Sequence, residues 1–191
     1  MSYVEVFRVD KDGDVVSYDT ARNNHGFAPL VWEKLGEKYE VPRTNEYYLM
    51  MDKPALEATW KLRGEGKLDR LDNVLMGATF DRVWVKREDV PLLVEACRRF
   101  HRDHIAGAKL VDTVDRTADL LEEMFKEFSD DLGVAFNMCS ANGAFWHVRV
   151  PCSECGCTCN GDTRPYNVKT DDEQPDGEYY GESAWVLEVP S

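Results

Sequence analysis

Basic side chains are scarce in this sequence, which has 23 Lys and Arg residues against 36 Asp and Glu residues and a net charge of −13. Direct binding to nucleic acid depends on Lys and Arg side chains that displace counterions from the phosphate backbone. A chain so poor in cations is therefore not expected to bind nucleic acid directly. A protein partner with a basic surface suits the charge better, because opposite charges steer association.

Long apolar runs are also missing. No stretch approaches the roughly 20 apolar residues that a membrane-spanning helix requires. The N-terminal residues MSYVEVFRVD show no basic flank followed by an apolar run, as a signal peptide would. We therefore expect no membrane association and a cytoplasmic location.

The sequence also lacks recognisable catalytic motifs. The sequence has no phosphate-binding Walker loop and no dinucleotide fingerprint. His101 and His104 stand three residues apart, whereas a zinc-protease helix needs histidines four residues apart with a Glu between them. We therefore predict a non-catalytic binding protein. The alternatives are a metal-assisted, hydrolase-like enzyme that uses His101, His104 or His147 with nearby carboxylates, and a structural protein of a virion.

The patterns that are present predict an α+β fold in a single domain over residues 1–191. The run YVEVFRVDKDGDVVSYDT reads as a hairpin around an Asp-Gly turn. We expect an antiparallel sheet of about five or six strands, with three to five helices mainly on one face. Helical spacing of apolar residues and helix-start signals place helices at residues 27–39, 54–62, 68–76, from about 89 onwards, and 114–128.

A second hairpin is predicted over VAFNMCSANGAFWHVRV. A three-residue loop that pairs Ser140 with Ala144 would bring Phe136 and Trp146 to one apolar face. His147 would then lie on the opposite face, together with a neighbouring cysteine. A final strand is expected in EYYGESAWVLEVP, where apolar and polar residues alternate.

Four of the six cysteines lie within eight consecutive positions of the run CSECGCTCNG, in a loop predicted at residues 152–162. A CxxC turn can present two thiolates to one zinc ion, and zinc takes about four sulfur or nitrogen ligands. The candidate ligands are Cys152, Cys155, Cys157 and Cys159, with His147 or Cys139 as alternative members of the set. Free thiols and a disulfide remain alternatives. A mainly thiolate site of this kind would be structural, because a catalytic zinc keeps an open position.

Negative charge is concentrated in two segments. Residues 112–131 contain eight acids and two bases, and residues 171–191 contain seven acids and no base. We expect Glu122, Glu123 and Glu127 to contact a basic partner, and the segment 170–178 to be mobile. The alternative is a solvated helix face and a solubilising tail.

The runs GFAPLVWEKLGEKY and FDRVWVKREDVPLLVEACRRF resemble segments of small uncharacterised proteins encoded by bacteriophages and prophages. The resemblance carries no catalytic motif and implies no cofactor or binding residue. It implies an accessory protein that binds host or phage machinery, such as an inhibitor of a host enzyme or defence system.

Overall fold

A five-stranded sheet organises the computed structural model, which describes residues 2–23, 27–80, 83–105, 113–137, 146–150, 155–157, 163–171, 185–187 and 189. The strand order is β2-β1-β4-β3-β7. The strands are β1 (Ser2–Val9), β2 (Val15–Asn23), β3 (Val83–Lys86), β4 (Gly133–Asn137) and β7 (Trp185–Val186). The first four strands pair antiparallel, whereas β7 pairs parallel with β3. The predicted α+β class is confirmed, and the expectation of a wholly antiparallel sheet is wrong at this edge.

The sheet has two buried faces, and a β-bulge in the first hairpin changes which positions of β2 face each of them. Val4 pairs with Ala21 on one face, and Val9 pairs with Val15 on the other. The register shifts by one residue between these pairs, at Tyr18. Side chains alternate along a strand, so the extra residue reverses the alternation of β2. Ala21 and Val15 therefore face opposite sides of the sheet, although both are odd-numbered.

Five described helices cover one face, as predicted. They are α1 (Phe27–Lys38), α2 (Lys53–Gly64), α3 (Arg70–Gly77), α4 (Val90–Phe100) and α5 (Thr113–Glu127). Asp52 and Asp69 cap α2 and α3 by accepting backbone N–H bonds in the first turn, and α4 has Pro91 there. The apolar stripes of all five helices contribute to the main core. None of the described helices has both the length and the apolar character to span a membrane.

The other face of the sheet is covered by a two-stranded ribbon of β5 (His147–Arg149) and β6 (Thr163–Pro165). Trp146, Tyr166 and Val168 pack there in a second, smaller apolar cluster that contains no helix residue among those described. Arg164 donates two hydrogen bonds of 2.6 Å to Asp171 and holds this segment closed. Asp171 is buried, although we predicted a mobile segment over 170–178; residues 172–178 lie outside the described ones.

The predicted second hairpin is wrong in the described strands. β4 pairs with β1 on one side and with β3 on the other, so it has no edge left over most of its length for β5. β5 pairs with β6 instead. Phe136 belongs to the main core and Trp146 to the second cluster, joined only by a 3.0 Å hydrogen bond from the Trp146 Nε1 to the Phe136 carbonyl. The predicted Ser140–Ala144 pairing lies outside the described residues.

Candidate protein-interaction surface

Four large apolar side chains stand exposed in one short segment between α1 and α2. Tyr47, Tyr48, Met50 and Met51 are 69%, 73%, 54% and 68% exposed, and we name them the Tyr–Met patch. Leu49, between them, is buried and anchors the turn. Contiguous exposed apolar surface marks interaction sites, and interface cores are enriched in Tyr and Met.

The segment that carries the patch is fixed at its C-terminal end by Asp52. This buried carboxylate accepts hydrogen bonds from the Thr44 N–H at 2.6 Å, the Thr44 hydroxyl at 2.8 Å and the Asn45 N–H at 3.2 Å. It also accepts one from the Ala55 N–H at 3.3 Å and so caps α2. Burial alone would raise the pKa of Asp52, but these hydrogen bonds, led by that from Thr44, lower it below its ordinary value. One side chain thus closes the loop and begins the next helix.

A second set of contacts fixes the patch to α1. Glu33 accepts a 2.9 Å bond from Arg43 Nη1 and a 2.5 Å bond from the Leu49 N–H. Arg43 also donates to the Tyr47 carbonyl. Gly36 lets the loop approach closely, because a Cβ there would lie 3.0 Å from a Leu49 methyl group. The patch is therefore presented by a loop held at several points along its length.

A cavity of about 540 Å³ lies between the patch and α1. Its lining combines apolar and charged side chains, namely Pro29, Leu30, Glu33, Lys34, Glu37, Tyr48 and Met50. Lys34 Nζ lies 2.7 Å from Glu37 Oε2 in this lining. A pocket that joins an apolar floor to a few charged groups suits an anchoring side chain of another molecule.

The acidic residues predicted to contact a partner lie together on α5, but they already have contacts within the chain. Glu122 lies 3.2 Å from Arg98, which also bridges Asp115 and Asp119. Glu123 lies 3.6 Å from Arg116, and Glu127 accepts a 3.5 Å bond from the Tyr18 hydroxyl. These contacts reduce the negative potential that α5 presents, although the acids remain on the surface.

A smaller apolar groove of about 380 Å³ runs between α4 and α5, with Glu122 on its edge. Its walls include Val90, Val94 and Leu121. Arg87 lies over the Phe125 ring, 4.8 Å from its centroid, at this groove. The groove lacks the exposed aromatic and methionine side chains that distinguish the Tyr–Met patch.

A charged network joins α1, α3 and α4. Buried Asp72 accepts hydrogen bonds from Lys38 Nζ at 2.6 Å, from the Tyr39 hydroxyl at 2.7 Å and from Arg99. Burial and the nearby carboxylates raise the pKa of Tyr39 to about 12. Burial alone would raise the pKa of Asp69, but bonds from Arg99, the Asp72 N–H and Lys38 lower it well below its ordinary range. The charges are matched within the network, which indicates a structural role.

The histidines of the enzyme alternative lie on different elements. His101 and His104 belong to a π-helical turn, His101–Ile105, that follows α4, whereas His147 is exposed on β5. Burial lowers the pKa of His104, which packs on Phe100 with ring centroids 4.9 Å apart. Within the described ranges, no group of three or more His, Cys, Asp or Glu residues is arranged to hold a metal ion.

Of the cysteine cluster, the structure describes Cys155 and Cys157, both exposed, in the chain between β5 and β6. Their Sγ atoms lie within hydrogen-bonding distance, 2.6 Å apart, and Cys157 belongs to a disulfide that does not include Cys155. Cys152 and Cys159 lie outside the described residues, as does Cys139. Zinc binding at this cluster therefore stays a prediction.

Sequence reasoning did not identify the Tyr–Met patch. The signal was present as two tyrosines and two methionines within five residues of an aperiodic stretch, where neither helical nor strand spacing assigns them to a core. Comparison of the chain with protein-family models, with curated proteins and with solved structures finds no match.

Proposed function

We propose that this protein is a non-catalytic, acidic binding protein of the cytoplasm that acts by docking onto a protein partner with a basic surface. The observation that carries the proposal is the Tyr–Met patch, four exposed apolar side chains on a segment fixed by Asp52 and Glu33. Preformed loops bind with less loss of conformational entropy than flexible ones. The net charge of −13 supports the basic character of the partner.

The resemblance to phage-encoded proteins adds a class of partner to this proposal. An accessory protein or inhibitor that acts on host or phage machinery needs a recognition surface rather than a catalytic centre. A rigid patch of Tyr and Met side chains in an acidic molecule meets that need, since such side chains supply large contact area. The acids of α5, including Glu122, Glu123 and Glu127, would add long-range attraction.

Site-specific photo-crosslinking tests this function. Tyr47 is replaced by the photo-reactive p-benzoylphenylalanine, and the protein is irradiated in the cells in which the chain is naturally made. We expect a discrete covalent adduct with one protein, identified by mass spectrometry. The matched control carries the same group at Glu95, which is exposed on α4. If the two positions give the same adducts, or neither gives any, the patch is not a binding surface.

We further propose that the cysteine cluster, once the disulfide bond of Cys157 is reduced, holds one structural zinc ion, with ligands from Cys152, Cys155, Cys157, Cys159 and His147. Protein purified under reducing conditions should then contain about one equivalent of zinc, because thiolates bind the ion directly. Replacing Cys152 and Cys155 by Ser should remove the metal and lower the melting temperature. Metal-free protein whose melting temperature is unchanged by the double substitution would leave the disulfide or free-thiol alternatives.

A further inference from the structure

The cavity beside the Tyr–Met patch has two apolar walls. Tyr48 and Met50 form one apolar wall, and Pro29 and Leu30 of α1 form the other. At about 540 Å³ the space exceeds the volume of any single side chain, and it is open to solvent beside the rest of the patch. A large apolar side chain buried in such a pocket is the usual energetic centre of an interface.

Two carboxylates and one ammonium group line this cavity, and both carboxylates are paired within the chain. Glu33 is held by Arg43 and by the Leu49 backbone, and Glu37 is paired with Lys34. Glu40 and Glu46 do not line the cavity, but both are exposed and close to lining residues along the chain, three residues after Glu37 and two before Tyr48. Glu40 directly follows the C-terminal turn of α1 beyond Glu37, and Glu46 precedes Tyr47.

Glu40 occupies a backbone conformation that does not favour it. Its φ is +53°, the left-handed region in which glycine is preferred, and it is the one described non-glycine residue there. The Val41 N–H donates to the Gly36 carbonyl and closes the helix end around it. A residue with a Cβ at this position costs stability, which makes the exposed Glu40 carboxylate a candidate for a role in binding.

The net charge of the molecule distinguishes two candidate occupants of the cavity, which are a second copy of the chain and a different protein. Two copies of this chain would each carry −13, so a symmetric pair joined at this cavity would repel. A partner segment with cations around an apolar centre would instead complement both parts of the surface. The surface therefore fits a different, basic protein rather than a second copy.

We propose that the cavity receives one large apolar or aromatic side chain from a partner segment, and that Lys or Arg residues flanking that side chain contact Glu40 and Glu46. This inference rests on the proposed function and specifies the chemistry of the partner at the same site. Tyr48 and Met50 supply the contact area, while the two carboxylates set the preference for a cationic segment.

Three synthetic pentapeptides test the proposal with the full chain. The first has a central Phe with two Lys on each side, the second has Ser in place of Phe, and the third has Glu in place of Lys. Binding is followed by two-dimensional NMR up to about 1 mM peptide, the range in which weak contacts of about −4 kcal/mol are detected. We expect the first peptide to shift the amide signals of Tyr48 and Met50 and to bind at least about tenfold more tightly than either of the others.

Two variants locate the contact, and a third serves as control. Combining Tyr48→Ala with Met50→Ala should weaken the first peptide about tenfold or more, since the apolar wall is removed. Combining Glu40→Gln with Glu46→Gln should weaken it several-fold and flatten its dependence on salt. The exposed Glu95→Gln on α4 should leave its binding unchanged. All these side chains are exposed or line the cavity, so the fold should persist, which melting curves check.

Equal binding of the first and third peptides, binding that survives the Tyr48 and Met50 changes, or the absence of any shift would each overturn this proposal. The crosslinking experiment separates that failure from failure of the proposed function. An adduct specific to position 47, without discrimination among the peptides, leaves the patch as a binding surface whose partner is not a cationic apolar segment.

Discussion

At the scale of one residue, Glu40 combines an unfavourable backbone conformation with an exposed carboxylate. A residue with a Cβ in the left-handed region is less stable than glycine by about 1 kcal/mol. Its N–H donates to the Glu37 carbonyl within the same turn, so the conformation is fixed by the helix end.

Glu40→Gly should therefore raise the free energy of unfolding by about 0.5–1 kcal/mol, since glycine adopts positive φ without steric conflict. Urea denaturation measures the change. The matched variant Glu37→Gly lies inside α1 and should lower stability by about 1 kcal/mol. A loss of stability in Glu40→Gly would contradict the assignment of the helix end.

Asp72 is the residue on which the charged network between α1, α3 and α4 depends. Its carboxylate receives three donors and is only 4% exposed, whereas Asp69 beside it is about ten times more exposed. Loss of Asp72 removes the acceptor of the Tyr39 hydroxyl and leaves Lys38 and Arg99 paired with the exposed Asp69. Loss of Asp69 removes only attractions that water already screens.

We predict that Asp72→Ala lowers the free energy of unfolding by about 3 kcal/mol, as expected when one partner of a buried ion pair is removed. Asp69→Ala should cost less, because the remaining network still pairs Lys38 and Arg99 with Asp72. Chemical denaturation of both variants checks the order. Equal losses would show that the network is solvated rather than buried.

His104 makes the stability of the fold depend on pH. Burial against Phe100 lowers its pKa from the ordinary 6.5, with Asp103 and Asp72 opposing the shift and Lys38 and Lys34 adding to it. The unfolded chain then binds a proton before the folded one does, so stability falls as pH drops below about 6.5.

The melting temperature should decline between pH 7.5 and pH 5.5, in part because His104 is protonated. Replacing His104 by Gln should make this decline smaller than in the unchanged protein. The comparison with the unchanged protein is needed because Asp131, whose pKa is raised by burial, acts in the opposite direction at lower pH. Identical pH profiles for the two proteins would contradict a lowered His104 pKa.

At the scale of elements, the loop between α1 and α2 acts as a support for the Tyr–Met patch. Asp52 binds the start of the loop through Thr44 and Asn45 and begins α2 through Ala55. Hydrogen exchange reports such local order directly, because amides exchange when their hydrogen bonds open.

Asp52→Ala should accelerate exchange of the Thr44, Asn45 and Ala55 amides by about tenfold or more, while the β1 and β4 amides keep their protection. The matched variant Glu57→Ala, whose only described ion pair is a 3.9 Å contact with exposed Lys53, should leave these rates unchanged. Unaltered exchange in Asp52→Ala would mean that other contacts fix the loop.

The ion pairs of the acidic residues on α5 determine which substitutions can test their role in partner binding. Reversing Glu122 to Lys would replace a carboxylate 3.2 Å from Arg98 with a repelling cation, so charge reversal would disturb local packing as well as the surface charge. Neutral Gln substitutions at Glu122, Glu123 and Glu127 avoid this conflict.

The helices were largely predictable from the sequence, whereas the strand pairing was not. α1 was expected at residues 27–39 and observed at Phe27–Lys38, because its apolar spacing and first-turn proline are local signals. The partners of β4 are β1 and β3, more than 40 residues away, and no local pattern encodes that pairing. The Tyr–Met patch was missed because exposure depends on what the rest of the fold leaves uncovered.

At the scale of the whole molecule, a large negative net charge accompanies the Tyr–Met patch. The net charge of −13 acts over the Debye length, about 10 Å at 0.1 M salt and about 3 Å at 1 M. In the proposed complex, charge should therefore govern the association rate, and the Tyr–Met patch should govern the dissociation rate. Salt should slow association markedly, and loss of the patch should speed dissociation.

The most direct test is the dissociation constant for the partner captured at position 47, measured for the unchanged chain and for a variant in which all four patch residues are Ser. We predict that the variant folds normally, since these side chains are exposed, and binds at least about 100-fold more weakly, as loss of an interface centre requires. A dissociation constant that stays within twofold would contradict binding through the Tyr–Met patch.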